Sequence, residues 1–352
     1  MELAPPTAAA REAALRYADC RAPGIRRLRR GRGFAYVDAC GSRVSDKATL
    51  DRIAALVIPP AWEDVWICAD PDGHLQATGT DVRGRKQYRY HAGWSHHRNL
   101  SKFAGLADFA RLLPAIRRRV SRDMGLPGMP RDKVLACVVH LLDAAHIRIG
   151  NDEYARSNNS YGLTTMRNEH AKVRGDEVRF CFRAKSGKQC EARVHDPAAA
   201  RIVRRCQDLP GQELFTYIDE AGAARDVSSG DVNDYLASAC GARITAKDFR
   251  TWGGTIVAAR TLLAMEPAAP DARAPTLKRR ELAAVRAAAA ALCNTVATSR
   301  KYYVHPEVIS ADRDGRLRAA VDSAGRSPRE LRQVERAVAA LLRSAVKARR
   351  AA

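Results

Sequence analysis

The spacing of apolar residues along this chain changes once, near residue 100, and that change limits what it can fold into. Between about 30 and 95, short runs rich in aromatic and β-branched residues, FAYVD, VWICA and HLQATG, are cut by glycine and aspartate. Runs of this kind suit half-buried strands, and Asp70-Pro71-Asp72-Gly73 between two of them is turn chemistry. Beyond 100 the period becomes helical. In RDKVLACVVHLLDAAHIRIG, residues Val134, Val138, Leu141 and Ala145 recur at the spacing of one helix face, and Gly150 stops the run. Residues 176–194, DEVRFCFRAKSGKQCEARV, return to alternation through Val178, Phe180 and Phe182, then Ala192 and Val194. Ser186-Gly187 turns between them, which predicts a β-hairpin with its tip at Lys185 to Lys188. Helices resume at about 231. For the last, Ser327 is an N-cap, Pro328 a first-turn proline and Glu330 a capping-box partner, with Leu331, Val334, Val338 and Leu341 on one face. The expected fold is α+β, a small β-rich N-terminal lobe followed by a larger, mostly α-helical lobe carrying a β-hairpin. The divisions fall at 1–23 (an Ala-rich, low-complexity arm or loose helix), 24–97 (the β-rich domain) and 98–352 (the helical domain).

Charge decides the class of partner. The net charge is +21 over 352 residues, and of 60 basic residues 11 are lysine and 49 arginine. An excess spread along the whole length points to nucleic acid, against the alternative of a merely solvated basic surface. Arginine also suits bidentate phosphate contacts. The nine cysteines show no CxxC and no zinc-like spacing, as expected of reduced cytosolic thiols. No run of 18 apolar residues and no signal-like start is present, so neither a membrane nor secretion is expected and the cytoplasm is the expected location. A GxxxxGK[ST] loop is absent, leaving ATP without a motif. Asp70-Pro71-Asp72 and Asp312-Arg313-Asp314 read as turns and only weakly as magnesium clamps.

The chemistry question centres on TSRKYYVHPEVIS, where Tyr302 and Tyr303 follow Arg300-Lys301. A phenol attacking a phosphodiester needs cations to stabilise a pentacoordinate phosphorus, and a proton for the departing oxygen. Four residues from separate segments offer such groups. Arg148 lies in HIRIGN, Lys185 in FRAKSGK, Arg250 in ITAKDFRTWGGT and Asn294 just before the tyrosines. In that third segment Thr245 and Asp248 read as a capping box. Taken singly each has an ordinary reading: a helix C-terminal arginine, a turn lysine, an asparagine C-cap. Spacing alone leaves the segment open between an active site and a basic loop.

HIRIGNDEYARSNNSYGLTTMRNEH, FRAKSGK, KDFRTWGGT and LCNTVATSRKYYVHPEVI, in that order, resemble the ordered motifs of type IB DNA topoisomerases, in the poxvirus-like branch found in bacteria. The earlier ATGTDVRGRKQYRYH is similar to the DNA-contacting stretch of the same enzymes' N-terminal lobe, and the resemblance covers roughly 30 to 310. It implies a tyrosine recombinase/topoisomerase IB catalytic fold, acting as a monomer that clamps double-stranded DNA. It also implies relaxation of supercoils through a transient 3′-phosphotyrosyl link, without ATP and without an obligatory metal. Carried over, Arg148 and Arg250 hold the scissile phosphate, Lys185 is the general acid, with Lys188 as the alternative, and Lys247 lies near the DNA backbone. The family's spacing of nine residues from Asn294, and the following Val-His-Pro, select Tyr303 over Tyr302 as nucleophile.

The sequence departs from the viral pattern at Asn294, where the viral enzymes carry histidine. An amide donates a hydrogen bond but neither carries charge nor exchanges a proton, so Asn294 is at most an oxyanion donor. In the N-terminal lobe the resemblance makes Gln87, Tyr88 and Tyr90 contacts to bases and sugars, flanked by Arg85, Lys86 and Arg89. Strand alternation places both tyrosines on one face, and the ordinary reading is an edge strand packing on its own lobe. Two rivals stand beside this: a tyrosine recombinase, which usually carries an HxxR box where this chain reads Lys247-Asp248-Phe249-Arg250, and a non-catalytic basic DNA-binding protein.

Overall fold

The computed structural model describes residues 6–31, 33–95, 98, 103, 105–242, 244–267, 269, 273–325 and 330–351. The chain divides into two compact units, Met1–Ser101 and Lys102–Ala352.

The first unit is built on a five-stranded antiparallel sheet of β1 (Ile25–Arg30), β2 (Gly33–Val37), β3 (Glu63–Ile67), β4 (Leu75–Thr80) and β5 (Lys86–Tyr90), in the order β2-β1-β3-β4-β5. Its small core is Ile25, Ile53, Val65, Ile67 and Ala77. The Asp70 carboxylate accepts the Asp72 N–H at 2.9 Å, closing the β3–β4 connection as turn chemistry predicts. Strand β1, IRRLRR, carries no apolar alternation, and Arg27 ties it to the loop before β3. That guanidinium donates to the Pro59 and Trp62 carbonyls and lies 4.1 Å from the Phe34 ring centroid. The described part of the N-terminal segment is packed, not loose. It forms helix α1 (Pro6–Glu12), Ala10 and Leu15 are buried with Trp94, and Tyr17 stacks on His74 at 4.9 Å.

The second unit is mostly helical, with one large apolar core that includes Phe109, Leu141, Phe180, Phe215 and Phe249. Its leading helices are α2 (Leu106–Met124) and α3 (Arg131–Ala145). The latter ends earlier than Gly150, because His146 adopts a left-handed cap conformation with φ 54°. Arg148 therefore sits in the extended segment past the helix, not on its last turn. The predicted hairpin is strands Glu177–Arg183 and Gln189–His195, with a third strand, Ala171–Arg174, on its outer edge. Helix Pro197–Gln207 follows directly, started by the Asp196 carboxylate accepting the Ala199 N–H. The sequence reading passed over both this helix and the third strand. The Ser327-Pro328 start of the last helix lies outside the described residues; of its expected face, Val334, Val338 and Leu341 are buried, while Leu331 is 43% exposed. Among the described residues no single helix is long and apolar enough to cross a membrane.

Candidate active site

Helix Ala246–Leu263 is the beam on which the site is built. Asp248 accepts hydrogen bonds from the Thr245 N–H (2.8 Å) and hydroxyl (2.9 Å), closing the capping box foreseen from sequence. In its first turns it carries Lys247 and Arg250, and behind them Gly253 and Gly254, where other chain segments come unusually close. A Cβ on Gly253 would stand 2.5 Å from the His146 ring, and one on Gly254 only 2.7 Å from the Tyr303 carbonyl oxygen. The WGG sequence thus lets two segments lie directly against the helix. One turn is tied outward as well: Trp252 Nε1 donates to Glu335 at 3.2 Å, and Glu335 together with Asp143 grips Arg117. The C-terminal helix (Glu330–Ala351), without a role in the sequence reading, is fastened by this network to the helix carrying Arg250.

Arg148 is held in its segment by backbone pairing, Leu163 N–H to the Arg148 carbonyl at 2.8 Å and Thr164 N–H to the Ile149 carbonyl at 2.6 Å. Tyr303 follows the short helix Val296–Tyr302, whose N-cap Thr295 accepts the Thr298 N–H at 3.1 Å. The Tyr303 N–H itself bonds the Ser299 carbonyl at 3.0 Å.

Arg148, Lys185, Lys188, Lys247, Arg250, Asn294 and Tyr303 all line one open cleft of about 450 Å³. Tyr302 is not among its lining residues; Lys301 lies 5.4 Å from its ring centroid. Arg148 Nη2 donates to Asn294 Oδ1 at 2.5 Å. A guanidinium has no acceptor, so the amide oxygen must face it, and this fixes which way the Asn294 NH₂ points. Among the described residues that Nδ2 is buried without a hydrogen-bond partner, and so is Arg250 Nε. Arg250 is 4% exposed, gives its two terminal nitrogens to the His146 and Leu292 carbonyls, and lies 5.3 Å from the Tyr303 ring centroid. Burial first, and the neighbouring Arg148 charge second, push its pKa down to about 10, which leaves it cationic at neutral pH. No carboxylate stands among the described lining residues, so the cleft concentrates positive charge beside a phenol with two buried donors unused. Such an arrangement can bind a tetrahedral anion and stabilise charge growing on it.

Several lining residues were not foreseen, among them Ser160, Tyr161, Cys293 and Thr298. Cys293 carries a positive φ of 49° and its thiol meets that of Cys190, which burial pushes up to about 12. Their only sequence signal was that they lie inside the quoted motif stretches, HIRIGNDEYARSNNSYGLTTMRNEH and LCNTVATSRKYYVHPEVI. Elsewhere, Asp312 and Arg313, expected in a turn, instead end helix Pro306–Arg313, and a buried ion pair with Arg280 at 2.7 Å takes up Asp312.

The N-terminal candidates sit on edge strand β5. Lys86, Tyr88 and Tyr90 alternate on its exposed side, and the two tyrosine rings stack with centroids 6.1 Å apart. Gln87 points to the other side, where its amide donates to Asp81 at 2.9 Å, and Arg85 also pairs with Asp81, at 2.7 Å. Lys86 meets the Cys20 sulfur at 3.2 Å, and Arg89 donates to the Val57 carbonyl at 2.9 Å.

Comparison with known proteins decides the family. Residues 90–320 match the profile of the eukaryotic DNA topoisomerase I catalytic core, and residues 33–81 that of the bacterial DNA topoisomerase IB N-terminal domain. DNA topoisomerase 1B of Acanthamoeba polyphaga mimivirus is 32% identical over 285 residues, 80% of this chain and 85% of the viral protein. The chain belongs to the type IB DNA topoisomerases. DNA topoisomerase 1B of vaccinia virus (strain Copenhagen) is 25% identical over 117 residues, 33% of this chain and 37% of the viral one. All cleft residues of this type IB topoisomerase fall within the catalytic-core match, whereas Arg85 to Arg89 lie between the two matched ranges.

Proposed function

We propose that this type IB topoisomerase relaxes positive and negative supercoils by cutting one strand of duplex DNA through Tyr303. The phenol oxygen gives its proton to water and bonds to the scissile phosphorus, the P–O bond to the 5′ oxygen breaks, and the 3′ end is held as a phosphotyrosyl ester. Religation is the reverse attack by the 5′-hydroxyl. One phosphoester replaces another at each step, so neither ATP nor an obligatory metal enters. Arg148 and Arg250 grip the non-bridging oxygens, and Asn294 Nδ2 adds a neutral donor where it can accept no proton. Lys185 protonates the leaving 5′ oxygen, with Lys188 the alternative acid, and Lys247 meets the DNA backbone. On the N-terminal unit, Tyr88 and Tyr90 meet sugars and bases beside Arg85, Lys86 and Gln87. The protein acts as a monomer embracing the duplex, in the cytoplasm on chromosomal DNA.

The observation that supports this most is the pair of buried, unpartnered donors, Arg250 Nε and Asn294 Nδ2, on residues sharing a cleft with Tyr303. A buried donor without an acceptor costs about 1–3 kcal/mol, a cost that a bound phosphate oxygen removes. Purified protein with EDTA and no ATP is expected to relax plasmid of either handedness. No relaxation at any salt concentration refutes the proposal. Lys185→Ala should cleave slowly with an ordinary leaving group and recover with a 5′-thiolate, which needs no proton; failure to recover moves the acid elsewhere.

A further inference from the structure

Thr255 lies on the same helix as Arg250, one residue beyond Gly254, and is fully buried at 0% exposure. Its hydroxyl meets the Tyr303 segment on both sides of Val304. Thr255 Oγ1 lies within donating distance of the Tyr303 carbonyl (3.2 Å), shared with its own helix's Thr251 carbonyl (2.8 Å). The same oxygen accepts the His305 N–H at 3.1 Å. Val304, between the two bonded peptides, is itself buried. Gly254 completes the seat, since a Cβ there would meet both the Tyr303 carbonyl oxygen, at 2.7 Å, and the Tyr303 Cβ, at 3.3 Å. One helix therefore carries the buried Arg250 and also the backbone from which the phenol projects.

We propose that Thr255 is a positioning residue for the nucleophile: its hydroxyl fixes the Tyr303–His305 peptides on the helix, and so sets the phenol oxygen in line with a phosphate held by Arg250. This rests on the assignment of Tyr303 above. The reason a single hydroxyl matters is leverage. A tilt of the peptide is magnified along the tyrosine side chain, and a misplacement of about 1 Å at a reacting atom is worth about 100-fold in rate. The hydroxyl touches neither DNA nor the reacting atoms, so its loss should slow the chemical step and spare binding.

The test is single-turnover cleavage, at saturating protein, of a DNA that cannot be religated, with affinity measured by fluorescence anisotropy and the adduct located by peptide mapping. Thr255→Val keeps the shape and removes the hydroxyl. It is expected to cleave about 10- to 100-fold more slowly with affinity within about twofold of the parent. Thr255→Ser, which restores the hydroxyl, should return to within about threefold. Gly254→Ala, which pushes on the Tyr303 peptide directly, should be slow independently, and it decides the matter if Thr255→Val does not fold. Parental rates for Thr255→Val, or for Gly254→Ala in that case, overturn the proposal. So does a Thr255→Ser variant as slow as Thr255→Val. A parental adduct on a residue other than Tyr303 overturns the underlying assignment instead, whereas an adduct on Tyr303 with an unaffected valine variant overturns only the role of Thr255.

Discussion

The two units carry positive charge in different ways. At edge strand β5 polar groups are partnered cheaply: Arg85, just before it, and Gln87, on its inner side, share the Asp81 carboxylate, while on the outer side Tyr88 and Tyr90 remain 47% and 45% exposed. An exposed ion pair of this kind is worth little and exchanges partners readily. In the cleft of the second unit, Arg250 is buried, its acceptors are main-chain carbonyls, and its neighbouring charge is another arginine. Among the described residues the fold supplies that charge with no carboxylate partner. Under the proposed function, weak and exchangeable partners suit a surface that follows a varied duplex, while donors fixed before the anion arrives suit a site that stabilises one charge distribution.

The contrast can be broken at either end. The largest effect is expected from Arg250→Ala, which should slow cleavage by about 10²- to 10³-fold at saturating protein while leaving DNA affinity near that of the parent. An affinity loss of the same size would mean that the cleft serves binding as much as chemistry. Asn294→Ala removes a neutral donor and should cost about tenfold in the same assay, whereas Asn294→Asp, placing a carboxylate against Arg148 and the phosphate, should cost more. If the two variants behave alike, the amide donates nothing to the phosphate. Tyr88→Ala with Tyr90→Ala should weaken binding by roughly fivefold, a contact worth about 1 kcal/mol, with the saturated cleavage rate unchanged. A fall in that rate would tie the strand to catalysis. The smallest change is expected from Asp81→Asn, which removes the negative charge that Arg85 and Gln87 share. Binding should tighten about twofold at low salt and the gain should vanish at high salt, read by anisotropy titrations.

What could be read from sequence follows the range of the forces involved. The capping box at Thr245 and Asp248, the hairpin around Lys185 and the body of helix Arg131–Ala145 are set by neighbours within a few residues, and periodicity exposed them. The gathering of Arg148, Lys185, Arg250, Asn294 and Tyr303 round one cleft came from motif order, because nothing local in any of those segments announces the others. Three of the features that escaped show why. Strand β1 hid because its inward position is an arginine that satisfies loop carbonyls instead of an apolar side chain. The end of the helix before Arg148 was placed at Gly150 because a left-handed histidine is rarer than a left-handed glycine. The contacts of Gly254, Thr255 and Glu335 are with residues far along the chain, and composition carries no trace of them.

The makeup of the cleft has a consequence for what it admits. Its described lining consists of arginine, lysine, tyrosine and cysteine with small, apolar and amide side chains; neither imidazole nor carboxylate is among them. The ring of His146 lies against Gly253 instead, and burial lowers its affinity for a proton. An anion entering the cleft therefore meets no like charge in the described lining, and a cation finds nothing there to offset the arginines and lysines. The lining sorts its ligands by sign of charge before shape is read.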